Sequence, residues 1–368
     1  MNGEPYIPQF LTVHLGAPGS NAQNVTVSFP DYIKNVASSE IYPTWPENAI
    51  RANVYAQISY ALNRYYTEWY RSMGYDFDIT NSTRYDQAYV QNRDIFANIS
   101  DIVDDIFNEY VYRQGSVEPY FTQYCNGTTV TCDGLSQWGT VPLAEQGYGP
   151  YDILVEFYGP DINLNTDTPV RINSPSYPGL PLRLGDAGNS VRTKQVQLNR
   201  ISRNYPSIPK IAPVDGVFGQ ETDDAVREFQ RIFKLTADGI IGKATWYRIA
   251  YLYNSVKRLS ELDSEGISLD EVAQQFPSLL SPGDTGDEVR MIQYYLQVVA
   301  AYYDTVPPLT TTGVYDDATY QAVMAFQRTF GLTPDGIMGQ QTWNELYKAY
   351  RGILDSTAVM EGGVVLYP

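Results

Sequence analysis

Hydrophobic residues in the first third of the chain follow two different spacings. QFLTVHLG (9–16) and NVTVSFPDYIKNV (24–36) alternate apolar and polar residues, as half-buried strands do. Two later segments, 47–70 and 93–112, repeat apolar residues every three or four positions, which is the spacing of an amphipathic helix. Their apolar faces consist of Ile50, Val54, Ile58 and Leu62 in one segment and of Ile95, Ile99, Ile102 and Ile106 in the other. We therefore expect two helices that cover a small sheet in an α+β domain.

The first of these two helices has a predicted start signal. Thr44-Trp45-Pro46-Glu47 has the spacing of a capping box, in which a threonine and a glutamate three residues later bond to each other's backbone. Proline also favours the first turn of a helix, because its missing N–H is not needed there. The sequence therefore predicts that the helix begins beside Thr44.

The second half of the chain contains an internal repeat. Residues 214–249 align without a gap with residues 311–346, so that Trp246 corresponds to Trp343, an offset of 97. Upstream, 182–199 match 279–297. Each copy shows three segments with helical spacing, joined by Asp-Gly turn signals. We therefore predict a multidomain chain, with an α+β N-terminal domain followed by two small all-α three-helix modules.

Changes in composition give the expected domain boundaries. The N-terminal domain covers 1–170, and a linker rich in proline, serine and glycine covers 171–180. The first module covers 181–258, and a connector with the second module covers 259–350. The remaining 351–368 form a C-terminal tail outside the repeat.

Charge and composition limit the classes of partner that the protein can bind. The 42 acidic and 25 basic residues give a net charge of −17, which repels nucleic acid and anionic lipid. No apolar run is long enough to cross a membrane, and MNGEPYIPQFLTVHLG does not have the pattern of a signal peptide, which leaves the export route open. The 32 tyrosines suit a carbohydrate-binding surface, with a tyrosine-rich core as the alternative.

The repeats resemble the peptidoglycan-binding-1 family of three-helix modules, on VDGVFGQETDDAVREFQ…ADGIIGKATW and its second copy. The resemblance implies binding to the glycan or the stem peptide of bacterial peptidoglycan. The matched residues that we take as candidates for wall binding are Asp215, Phe218, Asp238, Trp246, Asp335 and Trp343. The alternative is that these residues form the core of each module. Thr312 replaces Asp215 and Asp316 replaces Gly219 in the second copy, so we expect its first loop to differ.

The N-terminal domain resembles the stage II sporulation protein D family of lytic transglycosylases. Three stretches carry the resemblance, namely YIKNVASSEIYPTWPENAIRANVYAQISYALN, YDQAYV and YFTQYCNGTT…GLSQWGTVPLAEQGYGPYDILVEFYG. Matched position by position, the catalytic glutamate of the family falls on Glu40. The resemblance further implies that the cleft is lined or supported by Gln87, Ser136, Gln137 and Trp138.

The chemistry of that family needs only one carboxyl. The same group can protonate the leaving oxygen of a glycosidic bond and then take a proton from the sugar's own hydroxyl. Such an acid needs a raised pKa near neutral pH, and Ile41, Tyr42 and Trp45 are apolar neighbours of Glu40 that could exclude water. The alternative is a surface acid at the start of a helix.

The two cysteines leave three alternatives. Zinc-binding members of the family use cysteine and histidine ligands, but TCDGLSQWGT lacks the family's His-Gly pair, and only Cys125 and Cys132 match. These cysteines can form a disulfide, hold part of a zinc site or remain free thiols. The single histidine, His14, lies in a predicted strand, where we expect its hydrogen bonds to be satisfied. We expect no other cofactor.

Two functional hypotheses follow. The first is a peptidoglycan-binding protein of the bacterial cell wall or spore cortex that cleaves glycan strands through Glu40. The second is a non-catalytic anchor or scaffold that attaches a larger assembly to the wall. Whether the protein is an enzyme is therefore open at the level of sequence.

Overall fold

The chain folds into two compact units, Met1–Ala273 and Gln274–Pro368. The structure is a computed structural model that describes residues 4–166, 168–173, 176–272 and 279–360. The first unit contains the α+β domain and the first three-helix module, and the second unit contains the second module. This arrangement confirms the predicted fold class.

Short strands form several small sheets in the first unit. Strand β2 pairs with β3 in antiparallel fashion, with Val13 opposite Val25, and with β4 in parallel fashion, with Val13 opposite Ile79. Three further pairs are β1 with β9, β5 with β8, and β6 with β7. The strands are β1 (Ile7–Pro8), β2 (Phe10–His14), β3 (Asn24–Ser28), β4 (Ile79–Thr80), β5 (Tyr110–Arg113), β6 (Tyr124–Cys125), β7 (Leu135–Ser136), β8 (Ile162–Asn165) and β9 (Val170–Arg171).

Helices provide most of the core of the α+β domain. They are α1 (Phe29–Glu40), α2 (Glu47–Tyr66), α3 (Trp69–Ser72), α4 (Ala97–Ile106), α5 (Thr140–Glu145) and α6 (Pro150–Tyr158). The prediction of a strand through residue 36 was wrong from Phe29 onward. Ser28 caps a helix there, since its Oγ accepts a hydrogen bond from the Asp31 N–H at 3.3 Å, and proline occupies the first turn.

Helix α2 is the centre of this domain, because 16 of its 20 residues are buried. The sequence predicted a single apolar face, yet the polar Asn53, Gln57 and Asn63 are also buried. The predicted capping box was wrong, since Pro46 occupies the cap and no side chain bonds there. The second predicted helix is shorter than expected, because α4 ends at Ile106 and the chain then enters β5.

Each module is built on buried glutamines that fill its turns. In the first module, the Gln195 Nε2 donates to the Val217 carbonyl at 2.9 Å, and the Gly216 N–H donates to its Oε1 at 2.8 Å. Gln293 makes the matching bonds in the second module. The module helices are α7 (Asn189–Ser202), α8 (Gln220–Ile232) and α9 (Lys243–Lys257) in the first, and α10 (Asp287–Ala300), α11 (Asp317–Thr329) and α12 (Gln340–Met360) in the second.

The first loop of the second module differs at its end, where Asp316 caps α11 and Gly219 makes no such bond, but the turn before it keeps the hydrogen bonds of the first copy. The Thr312 Oγ1 accepts from the Gln293 Nε2 at 3.1 Å, just as the Asp215 Oδ1 accepts from the Gln195 Nε2 at 3.3 Å. The threonine hydroxyl supplies the acceptor that the carboxylate supplies in the first copy, so the turn keeps its conformation.

The first module packs directly on the α+β domain. The Asn63 Nδ2 donates to the Pro119 carbonyl at 2.9 Å and to the Leu259 carbonyl at 2.8 Å. Tyr66 and Val117, which belong to the α+β domain, lie in the same hydrophobic cluster as the core of the first module. These buried contacts explain why the two form one compact unit.

Candidate active site

Glu40 is the last residue of α1, and its carboxylate accepts hydrogen bonds from four separate parts of the domain. Its Oε1 accepts from the Ala88 N–H at 2.8 Å. Its Oε2 accepts from the Tyr124 hydroxyl at 2.7 Å, from the Gln57 Nε2 at 2.9 Å and from the Gln137 Nε2 at 3.4 Å. The carboxylate is therefore held in one orientation, with three donors on one oxygen and one donor on the other.

Burial raises the pKa of Glu40 above its ordinary value. The hydrogen bonds from Ala88, Tyr124, Gln57 and Gln137 favour the charged form and lower the pKa, but they offset the desolvation only in part. A carboxyl with these properties keeps a proton to higher pH than an exposed glutamate, which is what a general acid needs.

Gln87 supports the site without touching the carboxylate. Its Nε2 donates to the Tyr124 hydroxyl and to the Gln57 carbonyl, both at 3.0 Å, and its Oε1 accepts from the Tyr32 hydroxyl at 3.1 Å. Because the Tyr124 oxygen accepts from Gln87, its own proton points to Glu40. Gln87 thus fixes two of the donors that surround the carboxylate.

The strand pair β6–β7 brings Tyr124 and Gln137 to the same carboxylate. Tyr124 pairs with Leu135, and the Gln137 N–H donates to the Cys125 carbonyl at 2.9 Å. Gly134 makes this pairing feasible, because a Cβ there would lie only 1.8 Å from the Gln123 carbonyl oxygen. Gly134, the first glycine of the GLSQWG segment, is therefore required by a close backbone approach.

Ser136 and Trp138 occupy other positions around the same turn. The Ser136 Oγ accepts from the Gly139 N–H at 3.0 Å, which shapes the turn, and Ser136 is not among the described residues that donate to Glu40. The Trp138 ring lies 4.8 Å from the Trp45 ring and 5.5 Å from the Tyr42 ring, measured between centroids. Trp138 exposes 41% of its surface and Tyr42 exposes 54%, so these two rings form an open aromatic surface that rests on the buried Trp45.

Cys125 and Cys132 form a disulfide that closes the loop after Tyr124. Neither sulfur is then a thiolate, and within residues 4–166, 168–173, 176–272 and 279–360 no group of three or more histidine, cysteine or acidic side chains could hold a metal ion. The residues present do not fit the zinc site that the family resemblance implies. His14 is buried in β2 and bonds through Nδ1 to the Asn24 Oδ1 at 2.7 Å, as predicted for a satisfied strand histidine.

The candidate wall-binding residues of the modules divide into two groups. The aromatic ones, Phe218, Trp246 and Trp343, are buried in the module cores. The aspartates brace turns, since each accepts at Oδ1 from the N–H two residues further along, at 2.9 Å in all three cases; they are Asp215, Asp238 and Asp335.

Sequence reasoning missed three groups that contact Glu40, namely Tyr124, Gln57 and the Ala88 N–H. Ala88 and Tyr124 lie in the stretches that carry the family resemblance, next to residues that were singled out. Gln57 is a polar residue in the middle of an apolar helix, and that interruption is the signal that could have identified it.

Two family models match the chain, and their order settles its domain content. The stage II sporulation protein model matches residues 19–110, and the peptidoglycan binding domain model matches 187–249 and 285–346. The chain therefore carries a stage II sporulation protein domain followed by two peptidoglycan-binding domains. Both resemblances found in the sequence are confirmed, and the chain carries domains of a peptidoglycan-binding family.

Three of the curated relatives are named as amidases or as a carboxypeptidase, and each matches this chain over part of its length. The amidase CwlM of Mycobacterium tuberculosis is 33% identical over 131 residues, which are 36% of this chain and 27% of the relative. The amidase CwlL of Bacillus licheniformis is 32% identical over 169 residues, or 45% of this chain and 44% of the relative. The zinc D-Ala-D-Ala carboxypeptidase of Streptomyces albus G is 41% identical over 69 residues, or 19% and 26%. The chain thus spans less than half of each relative.

None of the helices that the structure describes is long and apolar enough to span a membrane.

Proposed function

We propose that the sporulation-protein domain cleaves the glycan strands of peptidoglycan as a lytic transglycosylase, with Glu40 as the only acid and base. The observation that carries this proposal is the unequal hydrogen bonding of the two oxygens of the Glu40 carboxyl. Among the described residues, three donors engage Oε2, whereas the Ala88 N–H alone engages Oε1. Oε1 retains a free lone pair, so it is the oxygen that carries the transferable proton.

The first step breaks the glycosidic bond. The protonated Glu40 gives its proton from Oε1 to the oxygen that links two sugars, and the bond between that oxygen and the anomeric carbon breaks. Negative charge then develops on the Glu40 carboxylate, where Tyr124, Gln57 and Gln137 already point their donors. These donors stabilise the ionised form without any reorganisation.

The second step returns the proton. The Glu40 carboxylate removes a proton from a hydroxyl of the sugar that holds the cationic anomeric carbon, and the oxygen of that hydroxyl bonds to this carbon. The product is an anhydro-sugar, and no water is consumed. A second carboxylate, which ordinary glycosidases use as nucleophile or to activate water, is therefore not needed.

The aromatic surface and the modules supply binding. Tyr42 and Trp138 offer exposed flat apolar faces beside polar edges, which suit the faces of sugar rings, and the buried Trp45 packs against both. The two modules raise the local concentration of glycan at the first domain, since they hold other parts of the same polymer. The sporulation-protein match supports a site of action at the wall or spore cortex of a spore-forming bacterium.

The decisive experiment compares the protein with its Glu40→Gln variant on purified glycan strands. We expect anhydro-sugar ends from the wild type and a loss of about 10²–10⁴-fold in the variant, measured by mass spectrometry of the products. Glu47→Gln is the matched control, because Glu47 is exposed and bonds to Arg51 at 2.8 Å. Equal activity in the Glu40 variant would contradict the role of Glu40. If the wild type binds strands and leaves them intact, the protein is a wall anchor instead.

The pH profile gives a second test. Activity in the first step requires the protonated Glu40, so it falls as pH rises through the pKa of that group. The Tyr124 hydroxyl lowers the pKa of Glu40, so Tyr124→Phe raises this pKa further and moves the alkaline limb of the profile to higher pH. A variant that loses activity without moving this limb would show that Tyr124 acts on structure alone.

A further inference from the structure

A groove lies between the two parts of the first unit, away from the residues that contact Glu40. One wall is α3 with the turn that follows it, from Arg71 to Asp76, and the other wall is the outer face of α9. Its volume is about 790 Å³, which is within the range of sites that hold small ligands. We call it the α3–α9 groove.

Aromatic rings line both walls of the α3–α9 groove. Tyr75 extends from the turn after α3 and is exposed, whereas Tyr247 and Tyr251 lie one helical turn apart on α9 and are half-buried. Tyrosine combines a flat apolar face with a hydroxyl at its edge, so such a pair of walls fits a chain of sugar rings.

The charge of the groove is opposite to that of the whole chain. Its lining contains the cations Arg71, Lys243 and Arg248 and the carboxylate of Asp76. The Arg71 Nε bonds to the Asp78 Oδ1 at 2.6 Å. Lys243 and Arg248 are exposed, and neither forms an ion pair with a carboxylate in the part of the chain that the structure describes. In a protein of net charge −17, two such cations in one groove favour an anionic ligand.

The second module shows that this face is not needed for the module fold. At the repeat offset of 97, Gln340 takes the position of Lys243, Asn344 that of Tyr247 and Glu345 that of Arg248. Helix α12 forms with these residues as α9 does without them. At these three positions the first module is basic and aromatic, and the second module is not.

We infer that the α3–α9 groove binds a carboxylate-bearing stretch of the peptidoglycan glycan, with tyrosine faces against the sugar rings and with Lys243 and Arg248 on the carboxylates. The inference rests on the proposed function, because it specifies which feature of the wall polymer the first unit recognises. A neutral glycan would leave both cations without a partner, and a ligand without sugar rings would leave the tyrosine faces uncovered.

The test measures binding of the full-length chain, in the Glu40→Gln background so that strands stay intact. The probe is purified glycan strands that have lost their stem peptides and keep their carboxylates, and a second sample carries the same strands as methyl esters. The variant is Lys243→Gln with Arg248→Gln. The matched control, Lys210→Gln with Arg203→Gln, removes the same charge from exposed residues outside the groove.

We expect the groove variant to lose about tenfold in affinity for the carboxylate strands, and the control pair to stay within about twofold. Esterified strands should bind the parent Glu40→Gln chain about tenfold more weakly and should not distinguish the groove variant from it. If the groove variant binds as tightly as the parent chain, the inference that the α3–α9 groove binds carboxylates is wrong, and the proposed function is unaffected.

The remaining outcomes also test the inference about the α3–α9 groove. An equal loss in the control pair would assign the effect to net charge and overturn the groove. Stronger binding of a phosphate-bearing wall polymer than of the carboxylate strands would overturn the assignment to carboxylates. If the parent chain binds neither strand sample, the proposed function fails together with the groove. Helix α12 forms with Gln340 and Glu345 at the corresponding positions, so we expect α9 to fold with uncharged or acidic residues there, and Arg248→Glu provides a second variant.

Discussion

The two peptidoglycan-binding modules share one internal frame and differ in what surrounds their tryptophan. In the first module the Trp246 Nε1 donates to the Ser176 Oγ at 2.9 Å, and the Lys194 ammonium lies 3.7 Å from the ring centroid. In the second module the Trp343 Nε1 has no hydrogen-bond partner among the described residues, and the Tyr295 ring packs beside it at 5.7 Å.

The difference shows which part of a duplicated fold is constrained. The buried glutamines and their turn partners are the same in both copies, because a turn without them would leave backbone groups unpaired. The side chains around the tryptophan have diverged, and those of the first module are polar. The buried glutamines thus preserve the module fold, while the packing around the tryptophan can change.

The largest expected effect comes from removing either tryptophan. Trp246→Ala and Trp343→Ala should each cost about 3–5 kcal/mol of the free energy of unfolding of the unit that contains them, because both side chains are buried. Hydrogen exchange read peptide by peptide separates the two cases. Trp246→Ala should also weaken protection in α2, which packs with the first module. Full protection of α2 in that variant would contradict the joint unit.

The buried glutamines should give the next largest effect, and an equal one in both modules. Gln230→Leu removes the acceptor of the Gly239 N–H and the donor to the Ile240 carbonyl, and Gln327→Leu does the same at Gly336 and Ile337. Each should cost about 2–3 kcal/mol in denaturant unfolding, because buried backbone groups lose their partners. Gln220→Leu, at an exposed position, is the control. A tolerated change in one module only would disprove the shared frame.

Lys194 offers a pH-dependent difference between the modules. Burial lowers the pKa of Lys194 to about 7, whereas the second module has Ile292 at this position. Between that pH and about pH 10, the unfolded chain binds a proton that the folded chain lacks, so stability rises with pH by up to about 1.4 kcal/mol per unit. Below pH 7 both states are protonated, and the dependence disappears.

Lys194→Ile should abolish this dependence and stabilise the first unit by about 1–2 kcal/mol at pH 7, measured by denaturant unfolding across the pH range. Lys210→Ile, at an exposed position, provides the control. A slope that persists in the Lys194 variant would trace the pH dependence to another group.

The smallest expected effect concerns helix caps. The Asp316 carboxylate caps α11 by accepting from the Thr319 N–H at 2.9 Å, whereas Gly219 begins α8 without a side-chain cap. No atom lies within 4 Å of the position that a Cβ of Gly219 would take, and its φ of −84° suits any residue. Gly219→Asp should therefore stabilise the first unit by about 0.5 kcal/mol in thermal unfolding, and Asp316→Gly should destabilise the second by a similar amount.

The modules could be predicted from the sequence more completely than the candidate site. Their repeat and their helices follow from local spacing. The same spacing offers the module core as one of the two predicted roles of the aromatic residues. The strands at 10–14 and 24–28 also follow from alternation, while Phe29 onward does not, because a serine cap and a proline in the first turn outweigh the apparent alternation.

The surroundings of Glu40 depend on long-range packing. Its donors come from residues 57, 88, 124 and 137, and periodicity within one helix cannot show that α2 is enclosed on every side. A buried polar residue such as Gln57 is costly unless it is paired, so its place among apolar residues signals a nearby polar partner. The identity of that partner requires the fold.

The contact of Asn63 with Leu259 has a consequence for dissecting the protein. A chain truncated at residue 170 would expose Tyr66 and Val117, which the first module now covers, and would deprive the Asn63 amide of one of its two carbonyl partners. Such a fragment would expose a hydrophobic patch and would be prone to aggregate, whatever the chemistry at Glu40. The smallest soluble piece that retains the candidate site therefore runs through the first module, and shuffling these domains in nature would have to move both together.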